Sequence, residues 1–194
     1  MTDGQSIDSG ANGIILPSPT GNLVRKKMRR HALGNSIETQ MRLHQLSQSI
    51  LRDENNYTTL RAPYLAPPQQ MAGGGGPPEY WMERVDTSHP LWLGDHDSVN
   101  CYSTNLIQDV TNELRRYWLA MWERGVVPWD FELYVQPDNS VVLLDFDKYA
   151  EMVNGSLTFA RGINISLRDF FVHPSFPPEF GAQVGNPFRT NSID

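Results

Sequence analysis

The stretch that decides the fold is residues 128–147, PWDFELYVQPDNSVVLLDFD. It contains two apolar runs, at 133–135 and 141–144, on either side of a segment of turn-forming residues. Because such a pattern is typical of paired antiparallel strands, it predicts a β-hairpin over residues 133–144. The second strand runs directly into Asp145, so the pattern also predicts a carboxylate at the end of a buried strand, where it needs a cation or hydrogen-bond donors.

Upstream of the hairpin, the sequence predicts a long helix over residues 104–124. Its apolar residues recur at helical spacing, and Gly125 follows at the position where helices commonly end. The residues expected on the buried face are Ile107, Val110, Leu114, Tyr117, Trp118 and Met121.

The first half of the chain is richer in strand patterns. Strands are predicted at 14–16, from Leu23 into a basic run, at 57–65 with an interruption at Pro63, and at 80–85. One helix is predicted to begin after Asn35 or Ser36. Residues 67–78 are dominated by Gly and Pro and predict a flexible loop. Beyond Asp147 the chain is poor in helical pattern, and four prolines between 174 and 187 suggest an irregular tail. A β-rich first half and a helix-led second half together predict an α+β fold.

Composition narrows the function classes. The chain has 194 residues, 39% of them hydrophobic, which suits one compact domain or a small two-lobed unit. The single cysteine, Cys101, excludes an internal disulfide and argues against a cysteine-based zinc site. The sequence shows neither a membrane-spanning run nor a signal peptide, which predicts an intracellular protein, cytoplasmic or nuclear.

The net charge of −6 disfavours general nucleic-acid binding. The basic run at 25–31, RKKMRRH, is the exception. It has two interpretations: a surface that meets RNA or another polyanion, or a charged strand edge that discourages aggregation.

The order of elements, from a glycine-containing hairpin and basic strand to a long helix, hairpin and Asp145-Phe146-Asp147, resembles the protein-kinase-like fold. It is most similar to the aminoglycoside and choline phosphotransferases, whose metal-binding motif is often Asp-Phe-Asp. Residues 122–147 also resemble an uncharacterised fungal family with kinase-like traits. The resemblance implies a compact two-lobed fold, with an N-terminal lobe at 1–86 and a truncated C-terminal lobe at 87–194, and it implies ATP and Mg²⁺ as cofactors.

The resemblance assigns nucleotide contacts to the first lobe. Gly10 and Gly13 would form the turn that covers the phosphates, although two glycines also suit an ordinary turn. Strand alternation places Val24 and Lys26 on one face, so that Val24 would touch adenine while Lys26 reaches phosphate. A slip of one residue would exchange Lys26 for Lys27, and a solvated charge is the other interpretation.

Glu38 would be the helix residue that orients the lysine. The spacing Asn35-x-x-Glu38 is also a capping-box pattern, in which Glu38 would bond the start of its own helix. The capping role is the one that the spacing favours.

The resemblance assigns metal binding to Asp145, Asp147 and Glu132, whose carboxylates offer the hard oxygen ligands that Mg²⁺ prefers. For Asp145 a turn-capping role is the alternative. Asp130 would be the base that orients an acceptor hydroxyl. The chain departs from the family pattern at Pro128, which stands where the catalytic-loop histidine would be, and Glu132 stands at the position of the family's asparagine.

These departures, with a C-terminal lobe too short for a peptide-docking platform, favour a pseudokinase-type binding module that keeps a nucleotide and metal cleft and has a protein partner. A minimal ATP- and Mg²⁺-dependent phosphotransferase acting on a small molecule is the alternative, so the sequence leaves open whether the chain is an enzyme. A polyanion-binding protein acting through residues 25–31 is the third hypothesis.

Overall fold

In a computed structural model of the chain, the structure describes residues 8–9, 13–18, 21–28, 36–53, 57–66, 79–153 and 156–158. Within these ranges, only the backbone is described at residues 8–9, 28, 53, 129–131, 147–148, 152–153 and 156–158. Strands and helices are mixed along the chain, and the predicted α+β class is confirmed.

Eight strands and three helices make up the described fold. The strands are β1 (Asp8–Ser9), β2 (Gly13–Pro17), β3 (Leu23–Met28), β4 (Leu60–Arg61), β5 (Glu79–Glu83), β6 (Val126–Val135), β7 (Val141–Val153) and β8 (Ser156–Thr158). The helices are α1 (Ile37–Asp53), α2 (His96–Asn100) and α3 (Thr104–Glu123).

The strands form two sheets. The first is antiparallel throughout, with the order β1-β2-β3-β5. The second has the order β4-β7-β6, with β8 also paired to β7. Its strands are antiparallel except for β4, which runs parallel to β7 through only two residue pairs. The chain therefore leaves the first sheet through α1, adds a short strand to the second sheet, and returns to the first sheet at β5.

Helix α1 begins where a hydroxyl can cap it. The Ser36 Oγ accepts a hydrogen bond from the backbone N–H of Thr39 at 3.2 Å, which satisfies one of the free amides of the first turn. Of the two predicted caps, Ser36 therefore fills this role, whereas Asn35 lies outside the described residues.

The predicted helix at 104–124 is confirmed as α3. Ser103 caps its first turn by accepting from the backbone N–H of Leu106, and Gly125 follows its end with a positive φ of 71°. In the part of the chain that the structure describes, no helix is both long enough and apolar enough to cross a membrane.

Two hydrophobic clusters hold these elements together. The larger cluster packs α1 and α3 against β4, β6 and β7, with Leu43, Trp118 and Val127 among its most buried members. The smaller cluster lies between the first sheet and β7 and consists of Val24, Ile37, Leu65, Tyr80, Met82, Val142 and Leu144. Both clusters contain residues from the predicted N-terminal lobe at 1–86 and from the predicted C-terminal lobe. Strand β7 contributes to both clusters, with one of its faces toward each.

The hairpin is longer than the predicted 133–144. Strand β7 does not end at Asp145 but continues to Val153, and β8 pairs with its far end. The prediction of an irregular tail directly after Asp147 is therefore wrong for residues 148–153 and 156–158, which belong to strands. The strand continues beyond Asp147 because Tyr149 and Ala150 are buried in the larger cluster. The rest of the predicted tail lies outside the described residues.

Candidate functional site

The site begins on the inner face of the first sheet, where β3 presents Lys26. Strand alternation turns Val24 and Lys26 toward the smaller cluster, and both are buried, Lys26 with 8% of its surface exposed. The register that pairs Lys26 with Ile15 of β2 and Tyr80 of β5 fixes this orientation. A lysine so deeply buried needs an anionic partner.

That partner is Asp145. The Lys26 Nζ donates a hydrogen bond to the Asp145 Oδ1 at 3.0 Å. The Lys26 side chain is 11% exposed and the Asp145 side chain 27%, so water screens this ion pair only in part. The pair joins the first sheet to the second, and it brings together the two residues that the sequence assigned to phosphate and metal.

The two neighbouring cations of the basic run point the other way. Arg25 and Lys27 lie 3.7 Å and 3.6 Å from the Glu79 carboxylate, and the Arg25 guanidinium stands 5.7 Å from the centre of the Trp81 ring. The side chains of residues 25–27 thus point alternately to the two faces of the sheet, and each face supplies a carboxylate partner. Residues 29–31 lie outside the described part of the chain, so polyanion binding by the whole run stays a prediction.

Asp145 stands in a bulge of the β6–β7 hairpin. The bulge lies between two residue pairs, Glu132 with Leu144 and Asp130 with Lys148. Between them β6 has a single residue, Phe131, whereas β7 has the three residues 145–147. Asp145 opens the bulge with a left-handed φ of 65°, which is costly for a residue other than glycine. Backbone strain of this kind is concentrated at functional sites.

Phe146 anchors the bulge to α1. Its ring is buried and stacks on the His44 ring, with centroids 4.5 Å apart and planes 18° from parallel. It also meets the Tyr149 ring edge-on at 5.5 Å. Since Phe146 follows Asp145 directly, these contacts restrain the backbone that carries the carboxylate.

His44 is a residue of the site that the sequence did not identify as functional. It is completely buried, and its Nε2 donates a hydrogen bond to the backbone oxygen of Pro63 at 2.8 Å. Its Nδ1 has no hydrogen-bond partner among the described residues. Burial, with a smaller contribution from the positive charge of Lys26, lowers the pKa of His44 to about 4, although the bond to Pro63 and the charge of Glu83 oppose this.

This burial of a neutral imidazole predicts acid sensitivity. In the unfolded chain the pKa of His44 returns to about 6.5, so between roughly pH 6.5 and pH 4 the unfolded state binds more protons. The free energy of unfolding should therefore fall as the pH is lowered through this window, by up to about 3 kcal/mol. Urea denaturation at a series of pH values measures the loss.

The variant His44→Gln is the matched control, because its amide can still donate to Pro63 but does not titrate. Glu83 also contributes to acid sensitivity: burial favours its neutral form, yet hydrogen bonds from Arg61 and the Tyr64 amide hold its pKa below the ordinary value. That contribution is common to both proteins and cancels in their difference. Parallel curves for the wild type and His44→Gln would contradict the assignment to His44.

Glu132 lies opposite Leu144, the residue before Asp145, on the hairpin. It pairs directly with Leu144, and residues directly opposite in an antiparallel ladder share a face, so Glu132 is on the side of β6 that carries Tyr134. The Tyr134 hydroxyl donates to the Glu132 Oε2 at 2.8 Å. Tyr134 packs against the smaller cluster, which turns this face of β6 toward the first sheet.

The other predicted site residues are placed less completely. Glu38 is exposed in the first turn of α1, and the first-turn hydroxyl cap comes from Ser36. Gly13 is buried as the first residue of β2. The side chains of Asp130 and Asp147, and the whole of Gly10, lie outside the described residues.

Metal binding therefore stays a prediction. The side chains that the structure describes contain no group of three histidine, cysteine, aspartate or glutamate residues close enough to hold a metal ion. The predicted ligand set includes Asp147, which is not among them. Asp145 and Glu132 are oxygen donors of the kind that suits a hard divalent cation.

No protein-family model matches the sequence, and no curated protein matches it either. The function must therefore be argued from the geometry of the site. Its central elements are a partly buried ion pair between the sheets, a strained carboxylate residue and a ring stack that anchors it.

Proposed function

We propose that this chain is a divergent kinase-like protein of the pseudokinase type, which binds ATP with a divalent metal between its two sheets and does not transfer phosphate. The observation that carries the proposal is the ion pair between Lys26 and Asp145. It combines, in one place, an ammonium suited to phosphate oxygens and a carboxylate suited to Mg²⁺.

The energetics of the pair favour a ligand-binding role. Removing two charges from water costs several kcal/mol per ion, and apolar residues of the same volume often stabilise a protein as well or better. Lys26 and Asp145 are thus a poor means of joining two sheets if stability is all that they provide. A nucleotide phosphate on Lys26 and a metal ion on Asp145 would use both charges.

The backbone of Asp145 supports the same role. A left-handed φ of 65° at a residue other than glycine costs of the order of 1 kcal/mol. The stack of Phe146 on His44 holds the strained segment in place. This arrangement fixes the direction of the Asp145 carboxylate before a ligand arrives, which reduces the entropy lost on binding.

The roles of the remaining residues follow from their places. Val24 lies two residues before Lys26 on the same buried face, where it can contact the base while the lysine holds a phosphate. Glu132, held by the Tyr134 hydroxyl, would join Asp145 in holding Mg²⁺. The metal, when bound, would neutralise phosphate charge and orient the triphosphate.

Binding without transfer is favoured by the shape of β6. Where the resemblance implies a catalytic loop, residues 126–135 form a strand that pairs with β7 on both sides of the bulge. Pro128 pairs with Tyr149 in this ladder, and its carbonyl accepts from the Trp118 indole at 3.2 Å. A segment tied at both ends in this way has little freedom to present Asp130 to an acceptor hydroxyl.

Calorimetry of ATP binding with and without Mg²⁺ tests the proposal. The wild type is expected to bind ATP when Mg²⁺ is present. Asp145→Asn should weaken that binding about 100-fold, equivalent to about 2.7 kcal/mol, because it removes the negative charge. Asparagine tolerates the left-handed backbone, so the substitution isolates the charge from the strain.

Glu151→Gln is the matched control, because it removes a carboxylate from the same strand, in an exposed ion pair with Arg42. Its ATP affinity should equal that of the wild type. A folded wild-type chain that binds no ATP, with or without Mg²⁺, would refute the proposal.

Phosphate transfer is a separate outcome. In a ³¹P NMR time course with Mg²⁺ and ATP, we expect no loss of the γ-phosphate signal in the presence of small hydroxyl-bearing acceptors. Turnover that depends on both an acceptor and Asp130 would replace the pseudokinase with the small-molecule phosphotransferase.

A further inference from the structure

Gly13 lies directly beneath the side chain of Lys26. A Cβ built on Gly13 would stand 3.3 Å from the Lys26 Cε and 3.7 Å from its Cγ. It would also stand 3.2 Å from the backbone oxygen of Lys27. Because Gly13 and Lys26 are diagonal neighbours on one face of the β2–β3 ladder, the lysine stem crosses the space that a side chain at position 13 would fill.

The far end of this lysine cannot yield freely. Its Nζ is held by the Asp145 Oδ1 at 3.0 Å, and the residue is buried. A shift of Cε by a few tenths of an ångström would therefore lengthen or misalign the hydrogen bond that the ammonium makes with Asp145. A Cβ at position 13 would thus press on a Lys26 side chain that is fixed at one end by its backbone and at the other by Asp145.

Backbone conformation does not explain a glycine at this position. Positive φ values occur at Gly21 and Gly125 among the described glycines, whereas Gly13 belongs to a strand with an ordinary backbone. Glycine in a strand normally weakens it relative to alanine, because glycine loses more conformational freedom on folding. What Gly13 provides is space for Lys26.

We propose that Gly13 is a positioning residue, which leaves room for Lys26 to lie across β2 and reach Asp145. Its part in ligand binding rests on the proposed function. The sequence assigned Gly13 to a phosphate-covering turn; the proposal instead makes it act through the lysine, without touching the nucleotide.

The first test compares Gly13→Ala with Gly21→Ala in Mg²⁺-ATP calorimetry. Gly13→Ala is expected to bind about tenfold more weakly, because the ammonium is displaced from its position. Gly21→Ala has open space around the new methyl group, but its φ of 73° strains any other residue. It should therefore lose stability and keep wild-type affinity. Equal affinity for the wild type and Gly13→Ala would overturn the binding role.

The second test needs no nucleotide. Urea denaturation is measured for the wild type, Gly13→Ala, Lys26→Ala and the double variant, and the effect of the alanine at position 13 is compared between the two backgrounds. With Lys26 present, it should lower the urea midpoint. With Lys26→Ala, it should lower the midpoint less or not at all, because the contact with the Lys26 side chain is gone and only the contact with the Lys27 backbone oxygen remains.

The clash with the Lys27 backbone oxygen is present in both backgrounds and cancels in this comparison. An equal effect of Gly13→Ala in the two backgrounds would overturn the inference, whatever the protein binds. If the wild type fails to bind ATP while the midpoint shift still depends on Lys26, the proposed function fails and the positioning role of Gly13 stands.

Discussion

Replacing Lys26 by methionine is expected to lower the free energy of unfolding by about 2–3 kcal/mol, measured by urea denaturation. Methionine fills a similar volume but leaves the Asp145 carboxylate without its ammonium. Breaking a deeply buried pair from one side typically costs about 3–5 kcal/mol. The lower figure is expected here because the Asp145 side chain is 27% exposed, so water can solvate part of its charge.

The double variant Lys26→Met/Asp145→Asn should recover most of the loss. With both charges removed, neither ion remains to be desolvated, and asparagine accepts the left-handed backbone of position 145. We expect the double variant to lie within about 1 kcal/mol of the wild type. The double-mutant cycle then gives the coupling between the two charges, free of the cost that either substitution carries alone.

The ion pair between Arg42 and Glu151 is the matched comparison. It is shorter, at 2.6 Å, but its side chains are 52% and 38% exposed. An exposed pair typically contributes about 0–1 kcal/mol, because water screens it and two long side chains must be ordered. The coupling should therefore be larger for the longer, more buried pair. Equal coupling in the two cycles would contradict the importance assigned to burial.

Periodicity was sufficient to predict the regular parts of the fold. The apolar spacing after residue 103 located α3, and the two apolar runs around the turn at 136–140 located the core of the β6–β7 hairpin. Both signals arise from elements that bury one face against the larger cluster, and such elements repeat a pattern over many residues. The alternation of β3 likewise placed Lys26, rather than Lys27, on the inner face.

The sequence could not define the bounds of elements that owe their structure to distant residues. It predicts a strand over 57–65, interrupted at Pro63, whereas β4 has only two residues, Leu60 and Arg61. It is a strand because Leu60 and Arg61 pair with Val141 and Val142 of β7. The bulge at 145–147 is similar, since its irregularity exists only relative to β6.

The candidate site shows the same division. Asp145 was predicted as a site residue because a carboxylate directly after an apolar strand is conspicuous in the sequence. His44 was not, because a histidine on the apolar face of a helix has the same pattern whether it fills space or holds a functional segment. The difference lies in Phe146, which is about a hundred residues later in the chain and stacks on its ring. Only the folded structure brings the two together.

Glu113 is the strongest case of a role that the sequence concealed. It lies in the middle of α3, where a glutamate ordinarily faces solvent, yet it is only 4% exposed. Its carboxylate accepts hydrogen bonds from the backbone N–H groups of Thr58, Thr59 and Leu60, the last at 2.6 Å. The Thr58 hydroxyl adds a fourth donor at 3.1 Å. One side chain thus satisfies the amides of the segment that leads into β4.

Glu113→Ala is expected to destabilise the protein by about 2–3 kcal/mol in urea denaturation. It leaves the buried Leu60 amide without an acceptor, which costs about 1–3 kcal/mol, whereas water can reach the amide of the exposed Thr58 and part of that of Thr59. Glu113→Gln should lose about half as much, because its one carbonyl oxygen can still accept. Asp109→Ala, which removes an exposed carboxylate one turn earlier in the same helix, is the control and should change stability by no more than about 0.5 kcal/mol.

Because the amides belong to the start of β4, hydrogen exchange should also quicken at Leu60 and at its partner Val141 in Glu113→Ala, but not in Asp109→Ala. A similar small loss in both alanine variants would mean that water replaces the carboxylate at these amides, and that β4 is held by its pairing with β7 alone.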